Sequence, residues 1–116
     1  MDYDIIVEKL IKIDKRNKFR NIDLKNNLPN FYHHYDPYDV EVDYGIMTIR
    51  FYSISKLERL NEEYSYLNVD LVFATSNGDP IFINDDKVYT CAHGCLNPKF
   101  EKIANNFDDF LVKITN

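Results

Sequence analysis

The run VDLVFATSNGDPIFINDDKVYTCAHG, residues 69–94, decides how the rest of the chain is read. Val69–Thr75 is mostly apolar and rich in β-branched and aromatic residues, as a buried strand requires. Asn77–Gly78 is the preferred pair for a two-residue hairpin turn, because both central residues of that turn need positive φ. Ile81–Ile83 runs back, Asp85–Asp86 turns again, and Val88–Cys91 forms a third strand. The expectation is a three-stranded antiparallel meander. Pro80 lacks an N–H for the ladder, so it belongs at a strand start or at an edge.

Outward from this run, the C-terminal segment Lys99–Ile114 places Phe100, Ile103, Ala104, Phe107, Phe110, Leu111 and Ile114 at steps of three and four. That spacing predicts one amphipathic helix covering a sheet face, with Asn97–Pro98 as its start signal. On the other side, Ser55–Lys56–Leu57–Glu58 reads as a capping box opening a helix along Leu57, Leu60 and Tyr64. Val40, Val42 and Tyr44 alternate with Asp39, Glu41 and Asp43, and Met47, Ile49 and Phe51 alternate after Gly45, which predicts two half-exposed strands. LPNFY (Leu28–Tyr32) predicts a short helix with Pro29 in its first turn and Asn27 as cap, stopped by Asp36–Pro37. Tyr3, Ile6, Leu10 and Ile13, with Val7 beside them, predict an N-terminal helix over residues 3–14. The polar stretch between these two helices is expected to be loop. No internal repeat or linker interrupts the chain. Residues 1–116 therefore read as a single α+β domain with a central antiparallel sheet flanked by helices.

Composition bounds the function. With 45% hydrophobic and 28% charged residues the chain is ordinary for a globular protein, but nine Tyr and eight Phe give it much aromatic area to bury or to offer a partner. No run approaches the ~20 apolar residues of a membrane span. The first residues are acidic where a signal peptide needs bases, so the expected location is cytoplasmic. The net charge of −5 argues against nucleic-acid binding. Residues 1–27 carry net +2 and residues 28–116 net −7. An acidic body of this kind suits a basic partner, or simply keeps the protein soluble.

Thr90–Cys95 (TCAHGC) gathers both cysteines and one of three histidines. A zinc site needs four ligands, usually as two separated pairs, and here only Cys91, His93 and Cys95 are local. Redox cysteines favour C-x-x-C at a helix start, which C-x-x-x-C after a strand does not match. Cys91 and His93 at i and i+2 on a strand stand about 7 Å apart, too far for a nucleophile–base pair. The segment therefore reads as a strand end and turn, with no metal, no cofactor and no catalytic residue expected. Asp79 reads as a turn residue, since SNGDPIFINDD lacks the alternating carboxylates and terminal Glu of a calcium loop. The tyrosines around DPYDVEVDY suit either a protein interface or an ordinary amphipathic edge strand.

The ordered set Asn77–Gly78–Asp79–Pro80, Ile81–Ile83, Val88–Tyr89 and Asn106–Phe107 with Phe110–Leu111, preceded by LPNFY, resembles the SUKH superfamily. That group takes in the yeast Smi/Knr cell-wall regulators, the bacterial Syd protein and many small bacterial proteins. In place of a Gly-rich turn after the LPNFY helix, this chain has DPYDVEVDYG. The resemblance implies an α+β fold and, in bacteria, an immunity protein that neutralises a toxin by occlusion and has no active site of its own. It implies a protein partner, here a basic toxin domain such as a nuclease, with the protein itself a monomer or weak homodimer. Charge points to Asp36, Tyr38, Asp39, Glu41 and Asp43, with Asp85 and Asp86, as the partner-binding surface. The alternatives are a cytosolic adaptor of the same fold and, third, a metal or thiol enzyme using Cys91, His93 and Cys95.

Overall fold

A computed structural model describes all residues, Met1–Asn116. Seven antiparallel strands follow one another in space in the same order as in sequence: β1 (Lys18–Asn21), β2 (Tyr35–Tyr44), β3 (Met47–Phe51), β4 (Leu71–Ser76), β5 (Asp79–Asn84), β6 (Lys87–Thr90) and β7 (Glu101–Ala104). Four helices accompany them: α1 (Tyr3–Ile13), α2 (Phe31–His34), α3 (Ile54–Glu63) and α4 (Phe107–Thr115), with a 3₁₀ turn at Ser65–Leu67. The central meander forms where the turn chemistry requires it. Asn77 and Gly78 have φ of +51° and +87°, and Asp85 and Asp86 have φ of +50° and +70°. Both two-residue turns are therefore left-handed, which matches the right-handed twist of the strands they join.

The core packs the sheet against the α1–α4 pair and against Leu57 and Leu60 of α3. Ile6, Val7 and Leu10 of α1 and Phe107, Phe110, Leu111 and Ile114 of α4 are buried. In β4 the pairing passes from Val72↔Phe82 to Ala74↔Ile81, so Phe73 is the extra residue of a bulge. Its ring meets Phe107 at 4.9 Å and Phe110 at 5.4 Å between centroids. Phe82 alternates with Ile81 and Ile83 and so turns to the other face, where Phe100 packs edge-on at 4.8 Å and Tyr89 stacks at 5.9 Å.

Several local expectations are overturned, each by a contact distant in sequence. The stretch expected as loop contains β1, a short polar strand with little period to reveal it. It pairs with β2, which carries one extra residue opposite Lys18–Arg20, and half-buries Phe19 against Phe31 and Tyr35. Asn17 sets its start: buried, it donates to Leu10 O and accepts from Glu41 N, both at 2.9 Å. Residues 99–114 are not one helix. Glu101–Ala104 pairs with the otherwise open edge of β6, and Asn106 caps α4 by accepting from Asp109 N at 2.8 Å. The apolar residues at positions 100, 103 and 104 fit a helical period by coincidence.

The helix caps also move. The Ser55–Glu58 capping box is not formed: α3 begins at Ile54 after Ser53, and Asp36 of β2 accepts from Ile54 N at 2.9 Å. Asn26, not Asn27, orders the LPNFY segment, accepting from Leu28 N at 2.9 Å and donating to Tyr32 O at 3.3 Å. Ile13, in the last turn of α1, lies 49% exposed, outside the expected apolar stripe.

One further device completes the sheet. β3 pairs with β4 only along Ile49–Phe51 and Ala74–Ser76, which leaves the start of β4 without a neighbour on that side. Asn61 of α3 takes the missing strand's part. Its amide oxygen accepts from Val72 N at 2.7 Å, and its Nδ2 donates to Val72 O and to Leu57 O at 2.8 Å. A single side chain thereby satisfies both backbone groups of a residue that is 1% exposed.

Candidate functional site

The residues that sequence charge assigned to a partner surface fall into three environments. Asp36 is buried and caps α3, so it is a structural residue and not a contact in this fold. Tyr38, Asp39, Glu41 and Asp43 are exposed along β2. Asp85 and Asp86 form the β5–β6 turn, separated from β2 by β3 and β4 and lying at the opposite end of the strands from Asp43. The register shows this, because Val42 pairs with Ile49 and Ile49 with Ser76, whereas Leu71 at the far end of β4 pairs with Ile83 beside that turn.

The β2 stripe is partly charge-matched within the sheet. Glu41 faces Arg50 of β3, with 3.8 Å between Oε2 and the guanidinium. Asp39 faces Lys18 of β1. Arg20 lies over the Tyr38 ring at 4.9 Å from its centroid. Arg16 binds Asp14, which holds its guanidinium above its ordinary pKa, and Glu41 and Asp39 add smaller contributions. Asp43 accepts from Thr48 Oγ1 at 3.1 Å. With β1 read as loop, Arg16, Lys18 and Arg20 had no visible place beside the acids. Together with Arg50 they offset part of the β2 charge, through one ion pair at Glu41 and a base in register with Asp39, and leave Asp43 without a base opposite.

Asn77–Gly78–Asp79–Pro80 and the TCAHGC segment form one construction. Asp79 Oδ1 accepts from His93 N at 3.0 Å and lies 2.7 Å from His93 Nδ1. The imidazole lies against Gly78, where a Cβ would stand 3.3 Å from its Cε1. From the other side, Tyr64 at the end of α3 donates to Gly78 O at 2.6 Å. Burial, aided by the charge of Glu63 and by Tyr52, Tyr66 and Asp79, pushes the Tyr64 phenol up to about 12. Partial burial alone would raise the Asp79 carboxyl, but the bonds from the His93 ring and amide outweigh it and hold the group below its ordinary value. Asp79 is thus more than a turn residue bonding its neighbours: it ties the β4–β5 hairpin to the loop after β6.

The cysteines adjoin Asp79 of this pair. Cys91 is buried and Cys95 exposed, and both are free thiols lining a cavity of about 400 Å³ that includes Asp79 but not His93. Burial, then the nearby Asp79 and Cys95, pushes the Cys91 thiol up, which disfavours the thiolate that nucleophilic chemistry uses. No three His, Cys, Asp or Glu side chains are grouped so that they could hold a metal ion.

Sequence reasoning overlooked two acidic groupings, because the first sits in a region of net positive charge and the second is dispersed along the chain. Asp2, Asp4 and Glu8 line a groove of about 980 Å³ beside Tyr35 and His34. The hydrogen bond to Asp4, then burial and the charges of Asp4, Asp2 and Glu8, push the Tyr35 phenol up to about 12. Asp70 accepts from Asp85 N at 2.8 Å, which brings it against the β5–β6 turn.

The fold and these sites define an α+β domain built on a seven-stranded antiparallel meander, with surface groups arranged mainly for hydrogen bonding and charge. Comparison with protein-family models, with curated proteins and with solved structures finds no match. No helix is long and apolar enough to cross a membrane.

Proposed function

We propose that this protein acts by binding another protein, and that it is an immunity protein that neutralises a basic toxin domain by covering the toxin's working surface. The observation that carries the reading is the unbalanced surface charge. Of nineteen acidic residues, only Asp14, Glu41, Asp79 and Asp109 take part in ion pairs, and the chain carries net −5. Charge of this kind speeds encounter with a cationic partner and gives the association a steep dependence on salt. The ordered resemblance of residues 28–114 to SUKH proteins supports the choice of immunity over other binding roles. On this reading catalysis resides in the partner, and Asp79 with His93 serves the shape of the surface.

The test is co-expression with the C-terminal domain of a toxin encoded next to this gene, scored for growth rescue and for a complex that copurifies. Rescue together with a complex is the expected result. Neither rescue nor complex refutes immunity for that pair, whereas a complex with a non-toxin protein would favour an adaptor of the same fold.

A further inference from the structure

Two adjoining cavities of about 450 and 310 Å³ open at the end of the sheet that carries the β5–β6 turn. Leu28, Asp70 and Leu71 line both, so the two form one continuous groove. It runs from α3, across the start of β4, to the turn at Asp85–Asp86. Its floor is aliphatic: Leu28, Leu71 and Ile83 are half-buried and pack against the core. Its walls carry Glu58 at the α3 end, Asp70 in the middle and Asp86 at the turn, and no Lys, Arg or His lines either cavity. None of the molecule's four ion pairs includes Glu58, Asp70, Asp85 or Asp86.

The other acidic places differ. On β2, Asp39 and Glu41 face Lys18 and Arg50 across the ladder, and Asp43 faces Thr48 and accepts from its hydroxyl. In the groove beside α1, Asp2 caps the helix, Asp4 accepts from the Tyr35 hydroxyl, and His34 lines the wall. The groove over Leu71 joins an aliphatic floor to three carboxylates that make no ion pair, with no base in its lining, although Asp70 also accepts from Asp85 N.

We infer that this groove is the docking site for a protein segment that presents an arginine or lysine beside an aliphatic side chain. The two halves of such a segment match the two halves of the groove. The aliphatic residue and the methylene stem of the basic one pack on Leu28, Leu71 and Ile83, while the cationic head reaches Asp70 and Asp86 or Glu58. The proposal rests on the reading above only in taking the partner to be a protein. It moves the contact surface away from β2 and retains Asp86 directly and Asp85 only through its turn.

The test uses the ¹⁵N-labelled full chain and the capped peptide acetyl-Leu-Arg-Leu-Lys-amide, with acetyl-Leu-Glu-Leu-Glu-amide as control. The basic peptide is expected to shift the amides of residues 69–71 and 83–87 saturably, and the acidic one to shift none of them. Asp70→Asn with Asp86→Asn should weaken binding by about tenfold, since each lost carboxylate accounts for roughly threefold. Both substitutions keep an amide oxygen as acceptor and a residue type that tolerates left-handed φ, so the fold is preserved. Glu41→Gln with Asp43→Asn should leave binding unchanged. Shifts confined to β2 or to α1, equal shifts from the acidic peptide, or no shift at millimolar peptide would overturn the assignment. So would concentration-dependent self-association abolished by the same double variant, because the occupant would then be a second copy of this chain. In the toxin assay, rescue that survives Asp70→Asn with Asp86→Asn refutes the groove alone. Failed rescue with peptide still bound here refutes immunity alone.

Discussion

Replacing Asn61 by alanine tests the way the sheet is completed. In the wild type this side chain makes three hydrogen bonds, to Val72 N, Val72 O and Leu57 O, at 2.7–2.8 Å. Alanine leaves the Val72 amide and carbonyl without partners in a residue that is 1% exposed. Each buried backbone group left unpaired costs roughly 1–3 kcal/mol, so two set a range of about 2–6 kcal/mol. Asn61 borders the groove over Leu71, and water entering the vacated space recovers part of that cost. The expected loss is therefore about 2–3 kcal/mol, a large share of the stability of a typical domain. In urea the midpoint should fall with little change in slope, and the melting temperature should drop by about 10 °C. Hydrogen exchange provides the local readout, because the Val72 amide should lose protection while the Ile81 and Val88 amides keep theirs to the lower global limit. Asn61→Asp should be at least as damaging at neutral pH, since a carboxylate oxygen would then oppose Val72 O, and acidification should relieve the damage. An alanine variant within about 0.5 kcal/mol of wild type, with Val72 still protected, would refute the claim that this side chain replaces a strand.

Two further outcomes follow from the same geometry. Asn106→Ala should lower stability by about 1 kcal/mol through loss of the α4 cap, whereas alanine inside one continuous helix would raise it by a few tenths. The sign of the change in urea midpoint therefore decides between β7 plus α4 and a single helix over 99–114. Asp79 titrates below its ordinary value when folded, so its contribution is present above the unfolded carboxylate pKa and is lost as pH falls through the folded one. Asp79→Asn should accordingly cost under about 1 kcal/mol near neutrality, given the pair's exposure, and the two unfolding curves should converge on acidification. Unfolding in urea at a series of pH values checks this, and a gap that widens below the carboxylate range would contradict the Asp79–His93 account.

What was legible in the sequence was local. Asn77–Gly78 and Asp85–Asp86 specify left-handed turns by their own backbone preferences, and the apolar runs between them can only pair with each other across such short links. The alternation along β2 and β3 and the apolar stripe of α1 are likewise properties of a few consecutive residues, as is the closing run Phe107–Ile114. These elements were enough for an α+β fold and for reading TCAHGC as a strand end leading into a turn.

The tertiary structure decided whatever depended on a partner distant in sequence. Lys18–Asn21 and Glu101–Ala104 become strands because β2 and β6 have open edges to satisfy, and neither segment has a hydrophobic period strong enough to announce it. Asp36, one more surface acid in sequence, caps a helix eighteen residues away. The same pairing that creates β1 sets Lys18 against Asp39 and so offsets part of the acidic stripe that the sequence suggested. Glu58, expected in a capping box, stands free on the wall of a groove with Asp70 and Asp86, which no spacing rule connects. Turn chemistry acts over two residues and can be read along the chain. Backbone satisfaction and charge balance are closed across the folded molecule, so they can be read only from the fold.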